Sequence, residues 1–181
     1  KQFAAIPDVS ITVVWDEDPA RGKAWADELG CDYEPCLEKA LAREDVDAVS
    51  VCTATGMHKD VIIAAAKAGK AVFTEKVLSF TAGEAREIAD VIHETGVPFL
   101  ISLRRRTEAR INYVKKLLDE GAIGTVTHLR VRDAHDGASS GWLPDTFFDI
   151  KQCGGGAMMD LGAHPMYLCL YLLGEPKKVS S

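Results

Sequence analysis

The feature that most constrains this chain is an alternation that runs through its first hundred residues. Short apolar, β-branched runs at residues 10–15 (SITVVW), 47–52 (DAVSVC), 71–74 (AVFT) and 97–102 (VPFLIS) are each separated by a longer amphipathic segment. Almost every position in these runs is apolar, which is the pattern of parallel strands covered on both faces. The intervening segments carry their own punctuation. Asp18 and Pro19 supply a cap and a first-turn proline for a helix through Leu29, and Gly30 stops it. A short helix is expected around residues 35–42 and a longer one over 58–68, with Gly69 behind it. Thr81 and Glu84 form a capping box that opens a helix running to Thr95, before Gly96.

Strands and helices in this order fold as a right-handed, doubly wound unit, so residues 1–102 are expected to form a partial Rossmann-like α/β parallel sheet. Such a unit carries a G-x-G-x-x-G phosphate loop after its first strand, and the sequence contains none. Residues 1–7 resemble the tail of a helix and residues 177–181 the start of a strand. The chain is therefore expected to lack both ends of a longer protein.

The rhythm changes after residue 103. A helix is expected over residues 107–120, ending at Gly121, and residues 125–134 (TVTHLRVRDA) alternate like a strand with one wet face. Residues 135–152 are loop-rich, and residues 155–173 read as one long apolar helix stopped by Gly174. This is the expected first part of an α+β domain over residues 103–181.

Composition narrows the function classes. Apolar residues make up 47% of the 181, and 21 basic against 27 acidic side chains leave a net charge of −6. No run approaches the roughly 18 apolar residues of a membrane span. The five cysteines include no Cys-x-x-Cys pair, which argues against a disulfide scaffold or a cysteine zinc site and for a cytoplasmic setting. Residues 103–132 hold 8 basic and 3 acidic side chains, with Arg104, Arg105 and Arg106 consecutive. An acidic chain without a base-reading element gives no support to nucleic-acid binding. The arginines are expected to tie the two domains together or to approach bound ligands.

Four segments could carry chemistry. Asp16 ends the run at residues 10–15, where an acidic residue accepts hydrogen bonds from the adenosine ribose of a dinucleotide. With Glu17 it would repel a 2′-phosphate, favouring NAD over NADP, although Arg21 is near enough in sequence to accommodate one. Turn formation and helix capping explain Asp16 equally well. Thr53 to His58 follow the second run and Glu75-Lys76 the third, both at the strand ends where open parallel sheets bind ligands. Turn chemistry and a solvated lysine are the plainer readings there. Finally, in Gly154-Gly155-Gly156-x-x-x-Asp160-x-Gly162-x-His164, a carboxylate and an imidazole stand four apart on an apolar helix. They suit a catalytic pair or a mutually satisfied buried pair. A metal pair is the weakest of the three, since no third ligand is evident.

These motifs, in this order and spacing, resemble the glucose–fructose oxidoreductase and inositol dehydrogenase family (Gfo/Idh/MocA). The likeness runs across nearly the whole chain, and Arg105-Arg106 followed by Glu120-Gly121-Ala122-Ile123-Gly124 extends it. It implies an NAD-dependent dehydrogenase acting on a sugar, a polyol or a derivative, assembled as a homo-dimer or homo-tetramer. It further implies Lys76, Asp160 and His164 as catalytic and substrate-binding residues. His164 is the implied base, Lys76 the stabiliser of the developing alkoxide, and Asp160 the residue that orients substrate and tunes the other two. Asp16, Thr53, Thr55, His58, Glu75, Lys76 and Arg106 are implied to bind cofactor, and Trp142 with the loop at residues 139–148 to set specificity. No metal is implied. Ala54 and Thr55 depart from the family's Thr-Pro-Asn-x-x-His loop, and Val77 stands where the family has proline. A cis bond costs about 2.5–4 kcal/mol without proline, so a trans Lys76–Val77 peptide is expected. Two other readings fit the same motifs: an NAD-dependent glycoside hydrolase of this family, and a non-catalytic ligand sensor or inactive fragment on this fold.

Overall fold

The computed structural model describes residues 3–180; Lys1, Gln2 and Ser181, at the outer ends of two expected segments, lie outside the described residues. The chain forms two compact units. The first comprises the residues up to Thr53 together with Met57–Thr74 and Leu78–Leu100. The second comprises Ala54–Gly56, Glu75–Val77 and the chain from Ile101 onward.

In the first unit, β1 (Val13–Val14) pairs in parallel with β2 (Asp32–Tyr33), and β3 (Ala48–Val51), β4 (Ala71–Thr74) and β5 (Phe99–Ile101) form a second sheet in that order. The β3–β4 pair is parallel, with Ala48 opposite Ala71 and Val51 opposite Thr74. Helices α1 (Pro19–Leu29), α2 (Leu37–Leu41), α3 (Thr55–Lys67) and α4 (Ala82–Thr95) alternate with the strands. The Rossmann-like order is as the sequence implies. The local signals act as expected: the Asp18 carboxylate accepts from the Ala20 and Arg21 N–H groups, and the Thr81–Glu84 capping box is closed in both directions. Strand β2 was not expected, because Asp32 and Tyr33 show no apolar alternation. Backbone pairing creates it, with Asp32 N donating to Thr12 O (3.1 Å) and Glu34 N to Val14 O (3.0 Å).

Leu41, Val51, Val61, Ile62, Ala65, Val72 and Ile88 form the buried cluster of this unit. Ile62 on α3 is 0% exposed. Ile62→Ala is expected to lower the unit's unfolding free energy by about 2–5 kcal/mol, read from urea denaturation. A loss well under ~1 kcal/mol would show that this cluster does not hold the unit together.

The second unit contains α5 (Ala109–Asp119), α6 (Ile150–Cys153), α7 (Gly156–Asp160) and α8 (Ala163–Leu173). Three expectations are corrected here. The helix expected from residue 107 starts at Ala109, after a 3-10 turn over Arg104–Thr107. Residues 125–134 and 177–180 form no strand, and neither stretch has a hydrogen-bonded strand partner among the described residues. Alternation marks a face that can be buried; a strand also needs a neighbour.

The third correction concerns the long helix expected over residues 155–173, which breaks between α7 and α8. Pro165 has no N–H to bond the carbonyl of Leu161, and its ring crowds that carbonyl in a continuous helix. A Cβ at Gly162 would lie 2.2 Å from the Met158 carbonyl oxygen, so only glycine fits the junction. Asp160 and His164 therefore stand on two helices rather than on one face of a single helix. No helix among the described residues is long and apolar enough to cross a membrane.

Candidate active site

Within the second unit, Lys76 meets Asp160, 84 residues further along the chain. The Glu75–Val77 segment leaves the end of β4, and Lys76 Nζ forms an ion pair with Asp160 Oδ1. The same ammonium donates to the Asp160 backbone carbonyl at 3.0 Å. Both side chains are about one-fifth exposed. The Lys76–Val77 peptide is cis, contrary to the trans geometry expected from valine. Residue type sets only the intrinsic preference; the isomer adopted depends on the whole fold.

The approach to Asp160 is shaped by glycine. Gly154 (φ 77°), Gly155 (φ 156°) and Gly156 (φ 56°) carry the chain from α6 into α7 through backbone angles that side-chain-bearing residues rarely adopt. One short turn later, α8 presents His164, which is 9% exposed. Its Nδ1 is hydrogen-bonded to Tyr167 Oη at 2.8 Å, and the two rings meet edge to face at 5.6 Å. Burial lowers the His164 pKa from its ordinary 6.5. The nearby Lys76 charge adds to this, and Arg105 acts in the same direction, while Asp133 and Asp160 oppose it. Burial and the net field therefore favour the neutral imidazole in the unit that holds the ammonium–carboxylate pair. That set can bind a hydroxyl, take its proton and stabilise the oxygen left behind.

Sequence reasoning missed part of this cluster. Arg105 Nη2 donates to Asp133 Oδ1 at 2.7 Å, and the Arg105 backbone N–H donates to Tyr167 Oη at 3.2 Å. Arg105 Nε and Asp133 Oδ2 are buried without a hydrogen-bond partner among the described residues. Tyr167 carried a legible signal, since it stands three residues from His164, on the same side of a helix. Asp133 carried none, because its partner is 28 residues away, on the other side of α5 in the sequence.

The other sequence-chosen residues of this unit lie in varied settings. Arg106 places its guanidinium 4.6 Å from the centre of the Tyr171 ring. Trp142 is 56% exposed and packs on His135 at 4.8 Å, with its indole N–H directed to Asp136. Thr55 opens α3, and Glu75 immediately follows β4.

In the first unit, Asp16 follows β1 and is held by Arg21. The guanidinium donates to Oδ2 at 2.7 Å and to Oδ1 at 2.6 Å, and Asp18 N–H adds a third bond. Burial opposes ionisation of Asp16, but these bonds and the Arg21 charge together hold its pKa below the usual value. The pair offsets the negative charge that the sequence argument set against a 2′-phosphate. His58 is buried, with Nε2 3.1 Å from the Thr53 carbonyl oxygen. Thr53 Oγ1, at the end of β3, is buried and has no hydrogen-bond partner among the described residues. An orphaned hydroxyl at a parallel-strand end fits a group that a bound dinucleotide would satisfy.

Residues 1–102 match the oxidoreductase family with NAD-binding Rossmann fold, and residues 111–181 match the GFO/IDH/MocA C-terminal domain. The chain is 30% identical over 175 residues to the inositol 2-dehydrogenase of Rhizobium meliloti (strain 1021), covering 97% of this chain and 51% of that protein. It is 30% identical over 171 residues to the scyllo-inositol 2-dehydrogenase (NAD(+)) of Bacillus subtilis (strain 168), covering 94% of this chain and 48% of that protein. Among solved structures, myo-inositol 2-dehydrogenase from Lactobacillus plantarum superposes with a TM-score of 0.81 at 27% identity, covering 95% and 51% of the two chains. The chain spans about half the length of the curated relatives it matches. With an alternating parallel α/β unit, a lysine after β4 and the glycine–aspartate–histidine segment all in place, this chain belongs to the Gfo/Idh/MocA oxidoreductase family.

Proposed function

We propose that the complete protein is an NAD-dependent dehydrogenase that oxidises a secondary hydroxyl of a polyol or sugar of the inositol class. The observation that carries this reading is the Lys76–Asp160 ion pair in the same compact unit as a buried His164, whose pKa is lowered by burial and by the Lys76 charge. Residues 1–102 would form the dinucleotide-binding domain and residues 103–181 the first part of the substrate domain.

His164 removes the proton from the substrate hydroxyl, a role an imidazole fills near neutrality without a large pKa shift. Lys76 donates to the same oxygen and stabilises its negative charge as the proton leaves. Asp160 holds the lysine ammonium in place and accepts from a neighbouring hydroxyl, which orients the ring. Trp142 and its loop supply specificity contacts from an exposed position. Bound NAD supplies the acceptor for the hydride that leaves the carbinol carbon. Asp16, Thr53, Thr55, His58, Glu75, Lys76 and Arg106 would hold that cofactor, and the unsatisfied Thr53 hydroxyl supports the assignment. A cytoplasmic setting and a homo-dimer or homo-tetramer belong to the same proposal; the first is supported by five cysteines that are all free.

The reading is tested by following reduced nicotinamide at its near-ultraviolet band while the complete protein is offered inositols, aldoses and glycosides with NAD or NADP. Steady reduction of NAD by an inositol or sugar is expected. Glycoside cleavage without net cofactor reduction would replace this reading with transient oxidation and hydrolysis. Inactivity with every combination would overturn it.

A further inference from the structure

We propose that Tyr167 is the positioning residue for His164: its phenolic oxygen accepts the imidazole Nδ1–H and leaves Nε2 as the nitrogen that takes the substrate proton. The proposal rests on the reading of His164 as the base and adds the residue that makes it competent.

Three observations support it. His164 and Tyr167 are both on α8, with Nδ1 and Oη 2.8 Å apart and the rings edge to face at 75°. The phenolic oxygen is itself fixed, because the Arg105 backbone N–H donates to it at 3.2 Å. Arg105 is in turn anchored through its guanidinium to Asp133 (2.7 Å) and Glu108 (3.6 Å). Among the described residues no hydrogen bond occupies His164 Nε2, so that nitrogen is available to substrate.

An imidazole can take a proton at Nε2 only when its own proton is on Nδ1. The imidazolium formed afterwards also carries a proton on Nδ1. One acceptor therefore serves the ring before and after transfer, and nothing on the Nδ1 side has to rearrange. The charged groups acting on His164 are Lys76 and Arg105, which disfavour the imidazolium, and Asp133 and Asp160, which favour it. Neither carboxylate is hydrogen-bonded to Nδ1 in the structure. Burial keeps the Tyr167 phenol protonated, so it orients the ring without adding the negative charge that would make His164 a stronger base but a charged one at neutral pH. Oriented but neutral is the condition a general base working near pH 7 requires.

The test uses the complete protein and Tyr167→Phe, which keeps the aromatic packing and removes only the oxygen. Turnover is expected to fall roughly tenfold to a hundredfold, with substrate KM and NAD affinity changed by no more than about twofold. The imidazolium loses an acceptor in this variant, so the acidic limb of kcat/KM should move to lower pH. Nitrogen-15 NMR of histidine-labelled wild-type protein supplies a readout independent of activity: above its pKa, His164 should be protonated on Nδ1. Protonation on Nε2, or an acidic limb that moves to higher pH in Tyr167→Phe, would mean the hydroxyl donates to Nδ1 and would overturn the proposal. A wild-type kcat in Tyr167→Phe alongside an inactive His164→Ala would overturn it while leaving His164 as the base. Retained turnover in His164→Ala would overturn the base assignment and this proposal with it.

Discussion

Replacing His164 by alanine is expected to lower kcat by roughly 10²–10⁴-fold while NAD affinity stays within about twofold of wild type. Loss of a general base removes a proton acceptor needed in the transition state and little that holds the cofactor. The pH profile makes the assignment specific. The base works unprotonated, so kcat/KM rises with pH through the His164 pKa. Burial and the Lys76 charge hold that pKa below the ordinary 6.5, so the rise should lie at lower pH than a free imidazole would give. In His164→Ala the acidic limb should vanish along with most of the rate. Parallel loss of NAD binding would show that the residue serves the cofactor instead.

Lys76→Met is the second large effect. The substitution keeps length and apolar bulk but removes the ammonium that faces Asp160. Loss of a donor aimed at a developing oxyanion should reduce kcat by roughly 10²–10³-fold. It has a second consequence with a definite sign. The Lys76 cation holds the His164 pKa down, so its removal should let that pKa rise and shift the acidic limb to higher pH. A rate loss with an unmoved limb would mean that Lys76 and His164 do not share a site. Stopped-flow and steady-state profiles over the acidic range measure both effects.

The parts of this molecule that were legible in the sequence are those set by local chemistry. Asp18, Pro19 and Gly30 bound α1 as their capping and stop preferences imply, and Thr81 with Glu84 opens α4. The alternating runs gave the α/β order because burial on both faces leaves an apolar signature in the strand itself. What failed depended on partners. Strand β2 exists through the backbone of β1, and the alternating stretch at residues 125–134 is unpaired among the described residues. The break between α7 and α8 was legible in Pro165 but was outweighed by the apolar run around it.

The candidate site divides along the same line. The motifs and the family resemblance singled out Lys76, Asp160 and His164; the structure brings Lys76 onto Asp160, and the lysine's charge lowers the His164 pKa. Spacing could not reveal that Asp16 is engaged by Arg21, because a side-chain pairing five residues apart has no signature beyond opposite charge. Nor could it reveal the Arg105–Asp133 pair, which only the tertiary fold creates. The cis Lys76–Val77 bond likewise has no sequence marker once proline is absent.

In the proposed reaction these residues remove a proton from a carbinol whose hydride passes to the nicotinamide. Its most direct test is isotopic. The complete protein would be incubated with NAD and inositols deuterated at the ring carbons, and the reduced cofactor analysed by mass spectrometry. The reduced nicotinamide should carry the deuterium, and His164→Ala should form almost none of it. Reduced cofactor without deuterium, or product formed with the cofactor unchanged, would contradict it.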